Sequence, residues 1–399
     1  MEKFISFIGI GVMVLLAWAM SENRKRVDWR TVGAGILLQF IFAALVLLTT
    51  PGRVFFDATN SFVTRMIEFS DEGAKMVFGD GFKEHFFAFS VLPTIIFVSS
   101  LMAVFFYFGI IQKVVKFFAV IMVKVMKVSG AESLASSANI FVGQTEAPLV
   151  IKPYIERMTR SEIMSLMTGG MANVAGGVMA AYVSFGADAG HLLAGSIMSA
   201  PASLLLAKIM VPETESPLTL GKVRMEIPIP DSNALDAACR GASEGLQLAL
   251  NVAAMLIAFV ALAALMNYGL SFFPSVAGAP LTFERILGWL FSPIAFVIGV
   301  PWQDVSAVGM LLGKKMFLNE FVAYLDLKDL KGVISERSFI LSTYALCGFA
   351  NFASIAIQIG GIGAMVPGRR KHIVDLGVKS MLAGTLSTFM TASVAGLFI

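Results

Sequence analysis

Long apolar runs recur along almost the whole of this chain, and they limit its possible folds more than any other feature. Eight runs approach or reach the roughly 20 residues that an α-helix needs to cross a bilayer. They cover residues 4–20, 31–49, 87–111, 161–184, 189–210, 241–266, 338–362 and 374–398. Hydrophobic residues make up 57% of the 399 and charged residues only 14%, which is more apolar than a soluble domain requires. The sequence therefore predicts an all-α polytopic membrane protein with eight transmembrane helices in a lipid bilayer.

Two further apolar stretches carry too many polar residues to be simple spans. Residues 132–152 contain Gln144 and Glu146, and residues 299–322 contain Glu320. We interpret both as re-entrant helical hairpins, because non-helical backbone at membrane depth persists only inside protein or beside a wet cavity. Three amphipathic stretches, at 53–82, 112–130 and 281–295, predict helices lying in the membrane interface, with ordinary connecting loops as the alternative.

The placement of basic residues tests this topology, because short cytoplasmic loops hold an excess of Lys and Arg. We place the protein in the cell (inner) membrane, with its N- and C-termini on the outer side. The inner loops then hold Arg24, Lys25, Arg26, Arg30, Lys113, Lys116, Lys124, Lys127, Lys152, Arg157, Arg160, Lys222, Arg224, Arg240, Arg369, Arg370 and Lys371. The predicted outer loops at 185–190 and 267–280 hold none, and Lys328, Lys331 and Arg337 are exceptions. The net charge of +3 and the scattering of these charges argue against a nucleic-acid partner.

Two segments of the chain match each other in kind and in order. Residues 170–175 and 348–353 both read G-x-A-N-x-A, and each follows a Ser-Glu pair and, before that, a hairpin that bears Glu146 or Glu320. This order predicts an internal repeat. The single span at 241–266 lies between the copies, so the second copy starts from the opposite face of the membrane. Such inverted-topology repeats are typical of secondary transporters, which place substrate and coupling ion near the midplane.

The residues shared by the two copies suit a binding site. Gly and Asn weaken a helix in mid-span, and an Asn amide can bond backbone groups that a helix break releases. A charged side chain at the centre of a span costs roughly 2.5–3.5 kcal/mol, so Glu146 and Glu320 are predicted to be functional, together with Asn173, Asn351 and Ser354. The alternatives are a Glu satisfied by backbone N–H groups at a hairpin tip and an Asn that only joins packed helices.

Four motifs resemble those of the concentrative nucleoside transporter family, over roughly residues 85–399. They are Gly143-Gln144-Thr145-Glu146-Ala147-Pro148-Leu149, the Gly-rich stretch 169–177, Asn319-Glu320-Phe321-Val322-Ala323-Tyr324 and Cys347-Gly348-Phe349-Ala350-Asn351-Phe352. The family fold has eight spans, two oppositely directed hairpins and an inverted repeat, as predicted above. The resemblance also implies a homotrimer in which the third and sixth spans form a scaffold while the two repeats move as an elevator-type transport domain.

By this resemblance the substrate-binding residues fall into two groups. Gln144, Thr145 and Glu146 would face the nucleobase with Val178 beside it, whereas Glu320, Asn351 and Ser354 would hold the ribose and Phe349 would pack on the ligand. A sodium ion would be held, largely by carbonyl oxygens, at Asn139, Val142, Asn173 and Val174. The family commonly has a hydroxyl residue at the place of Asn173, and some members couple to protons, so a proton-coupled symporter is the alternative. No organic cofactor is expected.

These predictions divide the chain into five segments. They are residues 1–84 (N-terminal spans and interfacial helix), 85–130 (scaffold span and interfacial helix), 131–210 (first transport repeat), 211–298 (cytoplasmic loop, scaffold span and interfacial helix) and 299–399 (second transport repeat). An enzyme is disfavoured, because the G-x-S-x-G pattern at 241–245 follows no predicted strand, as a nucleophile elbow would require. A transporter of another small polar solute, or a channel, stays open from the residues alone.

Overall fold

The computed structural model describes residues 1–223, 231–276 and 278–399, so Arg224 of the predicted inner loops lies outside the described residues. Within these ranges the backbone is almost entirely helical, and the extended pairing consists of two isolated bridges, Ser129 with Leu220 and Val276 with Ala279. The prediction of an all-α protein is therefore confirmed for the described residues.

Eighteen α-helices follow one another in the described residues. They are α1 (Glu2–Ala19), α2 (Trp29–Leu48), α3 (Thr50–Phe78), α4 (Leu92–Tyr107), α5 (Ile110–Met126), α6 (Gly130–Ala138), α7 (Ala147–Val150), α8 (Lys152–Ile155), α9 (Arg160–Ala172), α10 (Gly176–Ser184), α11 (Ala189–Met210), α12 (Ala234–Leu270), α13 (Phe283–Ile298), α14 (Val305–Phe317), α15 (Glu320–Asp329), α16 (Glu336–Leu346), α17 (Phe352–Met365) and α18 (Arg370–Phe398).

Seven helical segments of the described chain are long and apolar enough to cross a membrane, so the chain is a multi-pass membrane protein. They are Glu2–Ala19, Trp29–Leu48, Phe87–Tyr107, Arg160–Ser184, Ala189–Met210, Ala234–Leu270 and Pro367–Phe398. The predicted span at 338–362 instead forms two shorter helices, α16 and α17. The three predicted interfacial stretches are also helical, as α3, α5 and α13, so their alternative interpretation as loops is wrong.

Two of the predicted spans are interrupted at the predicted Asn residues. Helix α9 ends before Asn173, whose backbone is extended, and α10 begins three residues later. Helix α16 likewise ends at Leu346, and Asn351 is the N-cap of α17. The breaks therefore lie in the two G-x-A-N-x-A segments, as the low helix propensity of Gly and Asn predicts.

The two predicted hairpin segments differ in the structure. The return arm of the first consists of α7 and α8, four residues each, because Pro148 and Pro153 fall where a longer helix would need their N–H groups. In the second, the Asn319 side chain accepts a hydrogen bond from Val322 N at 3.0 Å and begins α15. Helix α15 runs to Asp329, so the predicted end of this segment at residue 322 is too early.

Burial separates the helices into two classes. We compare the share of buried residues in the most apolar part of each helix. This share is 94% for α11, 89% for the α9–α10 segment and 83% for the α18 segment. The corresponding shares are 33% for the segment that contains α4 and 22% for α12, two helices that pack against each other. The α9–α10 segment, α11 and α18 therefore lie at the centre of the molecule, whereas α4 and α12 have fewer than half of their residues buried in this part.

Arg337, one of the charges that did not fit the predicted topology, has a structural reason for its position. Its guanidinium donates to the carbonyl oxygens of Gly299 at 3.1 Å, Gly396 at 2.8 Å and Ile399 at 2.8 Å. These acceptors lie at the ends of two helices, where backbone carbonyls have no intrahelical partner. Arg337 thus donates hydrogen bonds to the unpaired carbonyl oxygens at helix ends. A topology prediction that only counts the charges in loops does not consider this function.

Candidate functional site

The two helix breaks are in direct contact with each other. Phe349 N, in the second break, donates to Asn173 O, in the first, at 3.3 Å. A Cβ atom added at Gly348 would lie 2.9 Å from Met171 O, so only glycine allows the two backbones to approach this closely. Residues far apart in the sequence are thereby brought to one place at the centre of the molecule.

Glu320 and Asn351 form the polar centre of the second break. Asn351 Nδ2 donates to Glu320 Oε2 at 2.8 Å, and Asn351 Oδ1 accepts from Ser354 N at 2.9 Å. Glu320 is only 4% exposed, and its other oxygen accepts from the Tyr182 hydroxyl at 3.1 Å. Because one carboxylate oxygen faces the amide nitrogen, the orientation of the Asn351 side chain is determined.

The first hairpin segment adds Gln144 to this group. Gln144 Nε2 donates to Ser354 Oγ at 3.2 Å, while its Oε1 is buried and has no hydrogen-bond partner in the described chain. A Cβ atom at Gly170 would lie 2.9 Å from Gln144 Cβ, so this glycine makes room for the side chain. Hydrogen bonds therefore connect Gln144, Ser354, Asn351 and Glu320 in series, and these come from both copies of the predicted repeat.

The other predicted substrate residues lie around this network. Thr145 approaches α17, since its Cγ2 would lie 3.0 Å from a Cβ at Gly361. Glu146 is exposed just before α7, and Val178 is buried on α10, one turn before Tyr182. Phe349 is partly buried, and its backbone makes the bond between the breaks. Among the described contacts, no hydrogen bond joins Glu146 to the network.

The four predicted cation residues meet at the first break. Asn173 Nδ2 donates to Gly169 O at 3.2 Å, and its Oδ1 is buried without a partner in the ranges that the structure describes. Asn139 is 1% exposed and lies against α9, with its Nδ2 3.2 Å from the place of a Cβ at Gly169. Val174 is fully buried, and Val142 is partly buried at the hairpin tip.

Backbone contacts hold the hairpin tip beside this break. Phe141 O accepts from Gly176 N, the first residue of α10, at 3.1 Å. Within the described chain, no hydrogen bond reaches the carbonyl oxygens of Met171 and Ala172, which end α9. No cluster of three or more His, Cys, Asp or Glu side chains is placed to hold a metal in the described ranges. The first break therefore offers neutral amide and carbonyl oxygens, ligands that suit a hard cation.

Three residues of this region were missed by sequence reasoning. Tyr182 resembles an ordinary aromatic residue of an apolar span, yet its hydroxyl is bonded to Glu320. Gln358 donates to Met167 O at 3.0 Å and so joins α17 to α9. Lys315 is completely buried beside the second break. The lysine gave the clearest signal, since an ionisable residue in an apolar segment usually has a function.

Three family comparisons cover most of the chain. Residues 8–81 match the family described as Na+ dependent nucleoside transporter N-terminus, residues 88–189 match Nucleoside recognition, and residues 191–396 match Na+ dependent nucleoside transporter C-terminus. An uncharacterised transporter of Bacillus subtilis is 44% identical, and the similarity covers 100% of both chains. This chain belongs to the concentrative nucleoside transporter family. Membership in a family of transporters agrees with the choice of a transporter over an enzyme.

Animal relatives of the family are longer. The human solute carrier family 28 member 3 is 44% identical over 99% of this chain, and the mouse sodium/nucleoside cotransporter 1 is 40% identical over 99%. This chain spans 60% of the length of the human protein and 64% of the mouse protein. The similarity thus includes a part of each animal transporter and almost all of this chain.

Solved structures of this concentrative nucleoside transporter family share the fold. CNTnw in an inward-facing, substrate-bound state has a TM-score of 0.91 at 42% identity, covering 99% of this chain and 98% of that one. A variant of CNTnw in an intermediate state has a TM-score of 0.93 at 42% identity, covering 100% of both chains. The helical architecture described above is therefore that of the family.

Proposed function

We propose that this protein is a secondary active importer that couples an inward cation gradient, carried by sodium, to the uptake of nucleosides. The observation that carries this proposal is the hydrogen-bonded series Gln144, Ser354, Asn351 and Glu320, assembled from both repeats where the two helix breaks meet. A buried carboxylate beside amide and hydroxyl groups is suited to a neutral ligand with several hydroxyl groups. The names of the matching families support a nucleoside as that ligand.

We assign the two ends of this series to the two parts of a nucleoside. Glu320 Oε1 and Oε2 are acceptors for ribose hydroxyls, with Asn351 and Ser354 completing that end and Phe349 packing on the ligand. Gln144 has a buried, unpartnered oxygen in the described structure and is an acceptor for a nucleobase N–H. Thr145, Glu146 and Val178 border the nucleobase end on this assignment.

Sodium is assigned to the first break, between Asn139, Val142, Asn173 and Val174. The unpartnered Asn173 Oδ1 and the free carbonyl oxygens at the end of α9 support this assignment, because a helix C-terminus is also the negative end of the helix dipole. The ion is cargo that enters and leaves with the nucleoside. Asn173 supplies an amide oxygen where the family commonly has a hydroxyl, and both groups can ligate a hard cation.

Movement of the site across the membrane is proposed to follow the elevator scheme. In this scheme residues 131–210 and 299–399 form the moving transport repeats, and α4 and α12 form the scaffold of a homotrimer in the inner membrane, with both chain termini outside. The burial pattern supports the division, since the α9–α10 segment, α11 and α18 of the two repeats are mostly buried while α4 and α12 are not. Residues 1–84 provide the two N-terminal spans and an interfacial helix, and residues 85–130 and 211–298 each provide a scaffold span and an interfacial helix. Eight spans and two re-entrant hairpins complete the proposed topology.

Uptake of labelled uridine into proteoliposomes tests this function. With sodium and proton gradients imposed separately, we expect saturable uptake that follows the sodium gradient. Uptake driven by the proton gradient alone would favour the proton-coupled symporter, and a linear flux that unlabelled uridine does not compete would favour a channel. Saturable uptake of a different polar solute, with uridine inert, would contradict the nucleoside assignment.

A further inference from the structure

Lys315 is a buried lysine that the proposed transport function does not use. It lies in the last turn of α14 and is 0% exposed. Its Nζ donates to Ala345 O at 2.7 Å and to Thr388 Oγ1 at 2.8 Å, and it lies 5.8 Å from the centre of the Phe389 ring. A charge in such an interior is costly, so a lysine there is expected to have a specific function.

The groups around Lys315 Nζ accept hydrogen bonds and donate none. Thr388 gives its own hydroxyl hydrogen to Thr385 O at 3.0 Å, so towards Lys315 its oxygen can only accept. Ala345 contributes a carbonyl oxygen, and the face of the Phe389 ring attracts cations. A neutral amine would bring a lone pair that no donor among its described partners satisfies. The geometry therefore fits an ammonium group that donates two hydrogen bonds and lies over the face of an aromatic ring.

Lys315 supplies one of the hydrogen bonds that satisfy the carbonyl oxygens at the end of α16, beside the second break. A helix leaves its last four carbonyl oxygens without intrahelical partners, and here all four accept hydrogen bonds. The bonds are Tyr324 Oη to Thr343 O at 2.8 Å, Cys347 N to Tyr344 O at 3.2 Å, Lys315 Nζ to Ala345 O at 2.7 Å and Gly348 N to Leu346 O at 2.8 Å. A positive charge at this position also opposes the negative end of the helix dipole.

The first break has the opposite arrangement. The last turn of α6, which corresponds to the last turn of α14, carries Ser136 and Ser137 and no basic residue. Asn173 Oδ1 is unpartnered, and the carbonyl oxygens of Met171 and Ala172 accept no hydrogen bond from the described chain. The second break therefore has a lysine against the end of α16, whereas the described residues at the first break supply amide and carbonyl groups.

We propose that Lys315 is a positioning residue for the ribose end of the site, acting as a cation fixed at the second break. By holding the end of α16 it fixes the backbone that leads to Asn351, whose side chain bonds to Glu320. The ribose end is thus organised without an added ion, whereas the first break takes its cation from solution. This inference rests on the proposed assignment of Glu320 and Asn351 to the ribose.

Binding of uridine and of 2′,3′-dideoxyuridine to the purified protein at saturating sodium tests this inference. Wild-type protein is expected to bind uridine much more tightly, because the analogue leaves Glu320 without its hydroxyl partners. In Lys315→Met, uridine affinity should fall at least about tenfold while the affinity for the analogue changes less than about twofold. Lys315→Gln, which donates hydrogen bonds without charge, should lose the same preference for uridine.

The matched control is Lys314→Met, because the Nζ of this neighbouring lysine is 2.7 Å from Asp326 Oδ2 and does not bond to α16. It should keep the wild-type preference. If the Lys315 variants do not fold, Thr388→Val removes one acceptor of the lysine and should reduce the preference by about threefold. An equal loss for both ligands, an unchanged preference in the Lys315 variants, or full retention in Lys315→Gln would overturn the proposal. Failure of the wild type to bind uridine would instead contradict the proposed function.

Discussion

Replacing Glu320 by Gln tests the centre of the proposed site. The carboxylate accepts from Tyr182 Oη at 3.1 Å and from Asn351 Nδ2 at 2.8 Å, and it is 4% exposed. Glutamine has nearly the same size but only one acceptor oxygen, so its NH2 group must face one of these donors or a ribose hydroxyl. A hydrogen bond to a charged group contributes about 1.5–3 kcal/mol. Because one such bond is lost and the other loses its charge, the loss lies between one and two of them, about 1.5–6 kcal/mol, or roughly 10- to 10⁴-fold in affinity.

The assay is equilibrium binding of labelled uridine to purified protein, together with uptake into proteoliposomes under a sodium gradient. Glu320→Gln should abolish measurable uptake while the protein elutes from size-exclusion chromatography as the wild type does. Glu336→Gln is the matched control, since Glu336 is exposed in the first turn of α16, at the opposite end of that helix from the break. This control should bind uridine normally.

Uridine affinity within about threefold of wild type in Glu320→Gln would refute the assignment of Glu320 to the ribose. A change of about threefold is less than one hydrogen bond to a charged group contributes. Loss of binding by both the variant and its control would point to damage to the second repeat in general. A selective loss of affinity for uridine, with the affinity for 2′,3′-dideoxyuridine nearly unchanged, would instead locate the defect at the hydroxyl groups.

Three further predictions concern other parts of the molecule. Asn173→Ala should raise the sodium concentration for half-maximal uptake more than it weakens uridine binding at saturating sodium, and unchanged sodium dependence would exclude this residue as a ligand. Tyr182→Phe removes one bond to Glu320 and should weaken uridine binding about tenfold, with no effect expected if the hydroxyl serves only packing. A hydrogen bond from Arg160 holds the pKa of Glu22, at the end of α1, at about 2, below its ordinary value of 4.5. Since this pKa is lowered, the pair stabilises the protein above about pH 4.5 and ceases to do so as the pH falls towards 2. Thermal unfolding of Glu22→Gln should therefore show a loss of about 1 kcal/mol at pH 7, discounted for exposure, that disappears in acid.

The sequence was most informative where one residue type conflicted with its surroundings. Gly and Asn in apolar runs predicted both helix breaks. The position of Glu320 in an apolar stretch predicted a carboxylate embedded in the membrane, and the structure buries it. The charge of Lys315 in an apolar stretch was a signal, but its partners were not predictable, because Ala345 and Thr388 are 30 and 73 residues away in the chain. Helix ends that depend on tertiary contacts, such as those closed by Arg337, were beyond prediction for the same reason.

The unequal breaks suggest an order for the binding steps. The proposed sodium residues Asn139 and Val142 lie on the same hairpin tip as Gln144, and the tip is tied to α10 through the Phe141–Gly176 bond. An ion that held the tip against α9 would therefore keep Gln144 against Ser354, where the structure has it, and stabilise the nucleobase end. The ribose end needs no such step, because Lys315 is always present. Sodium should then bind before the nucleoside, and its effect on affinity should come through the first hairpin, which is what the Asn173→Ala comparison at low and saturating sodium measures.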